Sequence, residues 1–288
     1  MGGERRPTSF YVLLGFFVLF VLFLYGPIVT IVILSFQGPD GGLVFPMRGV
    51  SLYWFADLFR EQSIGDIGGA FRRSLALGLA VMALTVVFSY LAGLAFRRRF
   101  KGATLLFYIA VASLIMPSVV VSLGIGAGFE LLGLPRSWYG SALGAHLTWT
   151  LPFGLLIMFA VFNRFDPSYE EAARDQGATG WQTNRHVVLP IVAPSLIGVA
   201  LFGFTLSYDE LARTSQAVGY ANTLPLELQA MQANTTTPVI YALGTLTTGL
   251  SFLVILSTIA TVLWLRRRSR RRAAVPARDP DAVAVPAE

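Results

Sequence analysis

Long apolar runs alternate with short polar segments along almost the whole chain. No Asp, Glu, Lys or Arg occurs between Arg6 and Asp40, Arg73 and Arg97, Lys101 and Glu130, or Arg136 and Arg164, and two further gaps run from Arg185 to Asp209 and from Glu227 to Arg266. A bilayer crossing takes roughly 20 apolar residues at 1.5 Å each, so each gap predicts one transmembrane helix. The expected helices lie near 10–36, 74–96, 103–127, 140–163, 191–212 and 239–265. The last gap opens on the polar stretch Gln229 to Thr237, which moves the expected helix start to Val239.

The basic residues orient this pattern. With both termini on the cytoplasmic side, cytoplasmic segments hold Arg5 and Arg6, then Arg97, Arg98, Arg99 and Lys101, then Arg164, Arg174 and Arg185, then seven arginines from Arg266 onward. That places sixteen of the twenty-two basic residues inside, as the positive-inside rule requires. The same distribution explains the formal net charge of +6 without a nucleic-acid partner. Three segments follow: a cytoplasmic N-terminus at 1–9, a transmembrane domain at 10–265 with a cytoplasmic loop at 164–190, and a basic, disordered cytoplasmic tail at 266–288. The first apolar run lacks a small-residue cleavage site and is expected to be retained.

Composition narrows the chemistry. Hydrophobic residues make up 55% and charged residues 13%, about half the charged share of a soluble domain. Cysteine is absent and only His146 and His186 are present, which excludes disulfides, thiolate chemistry and a multi-histidine metal centre. There is no GxxxxGK[ST] phosphate loop, so no cofactor is expected on the chain and any ATP is handled by another polypeptide.

The most informative polar segment is Tyr169-Glu170-Glu171-Ala172-Ala173-Arg174-Asp175-Gln176-Gly177-Ala178-Thr179, leading to Val187-Val188-Leu189-Pro190. Ala, Glu, Arg and Gln favour helix, Ser168 is placed to cap it with Glu171 three residues on, and Gly177 suits its end. Pro190 is expected in the first turn of the next apolar helix. Glu171 and Asp175 repel one turn apart, while Ala172, Ala173 and Gln176 leave a low-relief flank for close docking.

Glu171-Ala172-Ala173, three residues, Gly177, nine residues, Val187, one residue and Leu189-Pro190 resembles the EAA loop of binding-protein-dependent ABC importer permeases, with Val187 in place of the pattern's Ile. The resemblance implies an all-α integral membrane bundle of six transmembrane helices of the type I ABC importer permease kind. It also implies that residues 170–180 form a coupling helix against a cytoplasmic ATP-binding subunit. The coupling residues it assigns are Glu170, Glu171, Ala172, Ala173, Gly177, Leu189 and Pro190. A second stretch, Phe204-Thr205-Leu206-Ser207-Tyr208-Asp209-Glu210 with Gly219 and Thr223-Leu224-Pro225-Leu226, joins Phe71-Arg72-Arg73-Ser74-Leu75 and Pro238 to Leu246 in resembling permeases of spermidine/putrescine importers. Ferric iron, sulfate and organic-compound importers share the EAA loop. The implied partners are cytoplasmic ATP-binding subunits, a second permease subunit of a related kind, a periplasmic or lipid-anchored substrate-binding protein and membrane lipid, in a bacterial inner membrane.

Tyr208, Asp209 and Glu210 at the outer end of the fifth helix are candidates for a polycation path, through carboxylate hydrogen bonds and a ring face. Equally, Asp209 and Glu210 mark a helix boundary, with Arg213 four residues from Asp209 as a partner. His146 reads as a histidine satisfied by another helix, and Gly140 and Gly144, with Gly124, Gly126 and Gly128, read as close packing inside one subunit. A secondary transporter would call for inverted repeats, and none is visible. A membrane enzyme would call for acid–base or metal clusters in the spans, and these are missing.

Overall fold

The computed structural model describes residues 7–58, 66–98, 100–234 and 237–273. Among them the regular structure is helical, with one isolated bridge between Gln37 and Val50. Five helical runs are long and apolar enough to cross a membrane: Thr8–Leu34 (α1), Ile67–Phe96 (α3), Trp138–Asn163, Gly180–Tyr208 and Val239–Thr261. Short helix α2 (Tyr53–Asp57) lies between the first two. The third expected span, 103–127, is not one helix. It forms as two shorter apolar helices, α4 (Ala103–Ala112) and α5 (Ser118–Leu131). Pro117 has no N–H for a continuing ladder, and its ring excludes the preceding helical turn. The end of α4 accordingly tightens into i→i−3 bonds from Leu114 to Val111 and from Ile115 to Ala112.

The remaining elements are α6 (Leu143–Asn163), entered through a π turn at Trp138–Ala142, then α7 (Ser168–Asp175), α8 (Gly180–Thr183), a second π turn at Asn184–Val188, α9 (Leu189–Tyr208), α10 (Ala212–Ser215), α11 (Leu224–Asn234) and α12 (Val239–Ala273). α12 starts at Val239 as expected but continues through the arginine block at 266–272 to Ala273. The rest of the tail, like residues 1–6, lies outside the described residues.

The chain forms two compact units. The first comprises Met1–Leu77, Ser118–Ala145 and Tyr208–Leu250, and the second Gly78–Pro117, His146–Ser207 and Ser251–Glu288. In the first unit α1 is exposed along nearly its whole length and buries only Leu34. A helix apolar on every face has its complement in lipid or in another chain. α5 packs closely on α10 and the residue after it: Ser122 Oγ donates to the Arg213 carbonyl at 2.6 Å, and a Cβ at Gly126 would fall 2.6 Å from the Gln216 carbonyl oxygen. The GxxxG pair makes no such seam. Gly144 faces open space, and a Cβ at Gly140 would meet Ser137 and Phe129 nearby.

Two stretches that are far apart in sequence meet here. Asp66 accepts the Gly69 N–H at 2.8 Å at the start of α3 and pairs with Arg73 at 3.0 Å. These contacts, the Gly69 bond above all, hold its carboxyl below the usual range. Arg73 Nε donates to the Asn222 carbonyl at 2.7 Å, and Ser74 Oγ, with its side chain buried, accepts the Leu224 N–H at 2.8 Å. Ser74→Ala leaves that buried N–H without its acceptor and is expected to destabilise the chain by about 1–3 kcal/mol, while Ser74→Thr retains most of the stability. Thermal unfolding of the detergent-purified variants checks this, and equal midpoints for Ser74→Ala and wild type would contradict it.

The core of the second unit is Met158 and Phe162 from α6 against Val188, Val192, Leu196 and Val199, with Val86, Tyr90 and Leu94 of α3 packed around it. The close approaches are at glycines that the sequence pattern did not single out. A Cβ at Gly154 would lie 2.1 Å from Ser89 Oγ, and one at Gly93 would lie 2.7 Å from the Phe162 ring. Two pairs of buried polar groups among these helices satisfy one another: Thr85 with Thr150 at 2.8 Å, and His146 Nδ1 with Ser207 Oγ at 2.7 Å, the satisfied histidine expected from sequence.

Candidate functional site: the loop between α6 and α9

Chain chemistry explains how this loop is shaped. Asp166, not Ser168, supplies the side-chain cap of α7: its Oδ1 accepts the Ser168 N–H at 2.9 Å, which draws its carboxyl below the usual range. The Ser168 hydroxyl makes no capping bond, because Ser168 is already the first helical residue. At the other end Gly177 takes φ +81°. Its N–H bonds to the Arg174 carbonyl at 2.8 Å, and the Ala178 N–H reaches the Ala173 carbonyl at 3.0 Å. That 6→1 and 5→2 pair is a Schellman termination, and it requires a left-handed residue at this position.

Beyond the turn the chain restarts at once. Thr179 and Gln182 form a capping box on α8. The π turn follows, closed by a bond from the Leu189 N–H to the Asn184 carbonyl, and leads into α9. Pro190 therefore sits at the join of the π turn and α9, inside a helical run that begins at Gly180, rather than at the start of a fresh helix. The widened turn accommodates a residue without an N–H.

The two adjacent glutamates play different parts. Glu170 is turned into the protein, where Oε1 accepts from Arg97 Nη1 at 2.6 Å and Oε2 lies 3.8 Å from Arg174 Nη2. The Arg97 guanidinium is in turn stacked over Phe162 at 5.1 Å and Phe165 at 4.9 Å. Tyr90 adds a second tie, its hydroxyl donating to Asn184 Oδ1 at 2.5 Å. Glu171, Ala172, Asp175 and Gln176 are exposed, Ala173 is half-buried, and Tyr169 and Trp181 present exposed rings. Leu189 and Pro190 are exposed too, but on α9, away in sequence from the short helix. A cavity of about 650 Å³ lies beside α7, lined by Arg97, Arg98, Glu170, Arg174 and Asn184 among others.

Sequence reading named Glu170 but missed its partner. Arg97 was legible only as one of a run of basic residues at a membrane edge, and nothing in the sequence separates it from Arg98. Ring stacking within α6 and the loop after it does so.

The three candidate path residues are not equivalent. Tyr208 is 3% exposed, so its ring face is covered. Glu210 is half-buried and accepts the Arg213 backbone N–H at 2.8 Å, capping α10, while Arg213 itself is fully buried. Asp209 alone of the three is exposed. The boundary role expected for the pair belongs to Glu210, through the backbone of Arg213.

Several apolar helices of membrane-crossing length, with a short polar helix between two of them, define a multi-pass membrane protein. A sequence model of the family described as binding-protein-dependent transport system inner membrane component matches residues 85–272, well over half of the chain, and the protein belongs to that family. It is a permease subunit of an ABC importer. It is 29% identical over 256 residues to the spermidine/putrescine transport system permease protein PotC of Haemophilus influenzae, spanning 88% of this chain and 98% of that one. It is 30% identical over 254 residues to the putrescine transport system permease protein PotI of Escherichia coli, spanning 85% and 87%. Among solved structures it is similar in fold to a chain of a bacterial alginate ABC transporter in complex with an alginate pentasaccharide-bound periplasmic protein, with a TM-score of 0.60 at 16% identity over 93% of this chain and 96% of that one.

Proposed function

We propose that this permease imports polyamines across a bacterial inner membrane, with both termini cytoplasmic, in a complex with a second related permease, cytoplasmic ATP-binding subunits and a periplasmic or lipid-anchored binding protein. ATP is hydrolysed on the partner subunits, and the chain binds no cofactor of its own. The observation that carries the coupling role is α7: a short helix tied to α3 through Glu170 and Arg97, ended by Gly177, with Glu171, Ala172 and Asp175 facing outward. Binding of this surface by an ATPase that has two states, with different contacts in each, is what transmits closure to the helices. Leu189 and Pro190 carry the displacement into α9. Alternation between inward- and outward-facing arrangements follows, with the binding protein delivering solute to the outward state.

The polyamine assignment is supported by the two relatives named for spermidine and putrescine, each matched over most of its length. Exposed Asp209, just past the end of α9, is the carboxylate offered to a polycation. Its replacement in Asp209→Asn is expected to lower uptake at subsaturating polyamine about fivefold, roughly 1 kcal/mol for an exposed charge-assisted contact, with saturated rates little changed.

The test is reconstitution of the full complex in nanodiscs and measurement of ATP hydrolysis with binding protein and spermidine, putrescine, sulfate or ferric iron. Stimulation by the polyamines supports the whole reading. Stimulation by sulfate or iron alone retains the importer and removes the polyamine. Hydrolysis indifferent to every solute and to the binding protein would remove the coupling role.

A further inference from the structure

Next to the loop site lies a feature that the import reading does not use. An aromatic groove of about 430 Å³ lies between the end of α3 and α4, lined by Phe96, Phe100, Phe107, Tyr108 and Phe159 together with Arg98. Its rings pack on one another, Phe107 against Phe159 at 5.5 Å and Phe96 against Phe100 at 5.5 Å, so the groove is a formed surface. Tyr108 is 65% exposed. Arg98 is exposed, and among the described residues neither it nor Lys101 forms an ion pair, whereas Arg97 and Arg174 are both engaged by Glu170.

The position decides the ligand. α3 is 30 residues long, about 45 Å at 1.5 Å per residue, and its apolar sequence ends at Phe96, so the residues just after it sit at headgroup depth. An apolar trough with an uncompensated guanidinium in its lining at that depth matches an acyl chain joined to a phosphate. With Arg98 and Lys101 both uncompensated, a lipid of net negative charge is favoured over a zwitterionic one.

We infer that the groove between α3 and α4 is a binding site for an anionic phospholipid, its phosphate on Arg98 and one acyl chain along Phe107 and Phe159. Arg98 and Phe100 also line the cavity beside α7, so lipid and coupling helix share a wall. An occupied groove holds Arg98 on the lipid side of that wall and keeps the cavity open for movement of α7. This last step rests on the coupling role proposed above.

The site is tested on the purified full-length chain by native mass spectrometry after exchange into equal mixtures of phosphatidylglycerol and phosphatidylcholine. Wild type is expected to retain phosphatidylglycerol preferentially. Arg98→Gln should reduce that preference about fivefold, the factor equivalent to the ~1 kcal/mol of one basic residue at an anionic surface. Arg164→Gln, an exposed basic residue on a different segment, should leave it unchanged. Absence of any preference overturns the site, as does a preference that survives Arg98→Gln or that Arg164→Gln reduces equally. Retention needs no ATPase, so failure here leaves the coupling role to be judged by its own experiments. In the reconstituted complex, omission of phosphatidylglycerol should lower polyamine-stimulated hydrolysis in wild type and not in Arg98→Gln. Equal lipid dependence in both would break the link to α7 while leaving the site.

Discussion

Gly177→Val lowers solute-stimulated ATP hydrolysis by the reconstituted complex about tenfold, while Gly177→Asn stays close to wild type. The reason is conformational. At φ +81° an L-residue with a branched Cβ is strained by about 1–2 kcal/mol, and asparagine tolerates the same region. A Cβ at Gly177 would meet nothing within 4 Å, so crowding is not the cause and side-chain size alone should not matter. The strain is relieved by giving up the Schellman bonds at Arg174 and Ala173, which redirects the chain between α7 and α8 and moves the exposed face of α7 away from the ATP-binding subunit proposed to dock there. A factor of ten corresponds to 1.4 kcal/mol, within the strain available. Wild-type hydrolysis in Gly177→Val, or equal loss in Gly177→Asn, would falsify the conformational account.

Arg97→Ala uncouples transport from hydrolysis. Polyamine uptake per ATP is expected to fall about tenfold, with basal hydrolysis retained. The Arg97–Glu170 pair is only about a fifth exposed on either side, at 21% and 16%, so solvent screens it less than a surface pair. Its loss leaves Glu170, among the described residues, with the 3.8 Å contact to Arg174, and the loss of a charge-assisted hydrogen bond of this kind costs roughly 1.5–3 kcal/mol. α7 still forms, because its end at Gly177 is independent of Arg97, but it is no longer tied to α3. Arg97→Lys should rescue only in part, since an ammonium keeps the charge but not the planar stack on Phe162 and Phe165. Arg97→Ala combined with Glu170→Gln should lose no more than the worse single variant, because both remove one interaction. Additive losses would show that the two residues act separately.

Much of this protein was legible in its order of residues, for a reason particular to membranes. In hydrocarbon, backbone polar groups must be satisfied within the segment, so charge-free runs become helices with little freedom to do otherwise. Five of the expected spans appear, with ends shifted by up to four residues, except for seven at the start of α3 and eleven where the helical run leading into α9 begins at Gly180. The loop between α6 and α9 was readable for a different reason. Helix formers closed by Gly177 define a short helix through local bonds, and local bonds are written in neighbouring residues.

What depended on distant residues was not readable. Local sequence names Pro117 as a place where a helix can kink, but whether α4 and α5 kink or separate depends on what packs around them. Phe71 to Leu75 and Thr223 to Leu226 were recognised as parts of one resemblance, and only folding brings Arg73 and Ser74 onto the backbone of Asn222 and Leu224.

The spacing of charged residues by itself determined that the chain is a multi-pass helical membrane protein and where its polar loop lies, because solvation of backbone and charge in a bilayer is a segment-by-segment property. Tertiary structure alone decided that Glu170 turns inward to Arg97 while Glu171 stays outside, that Tyr208 is covered and Asp209 is not, and that Arg98 joins the lining of an aromatic groove. Those assignments depend on which rings and carboxylates from other helices arrive within a few ångströms, and neighbours of that kind are set by packing.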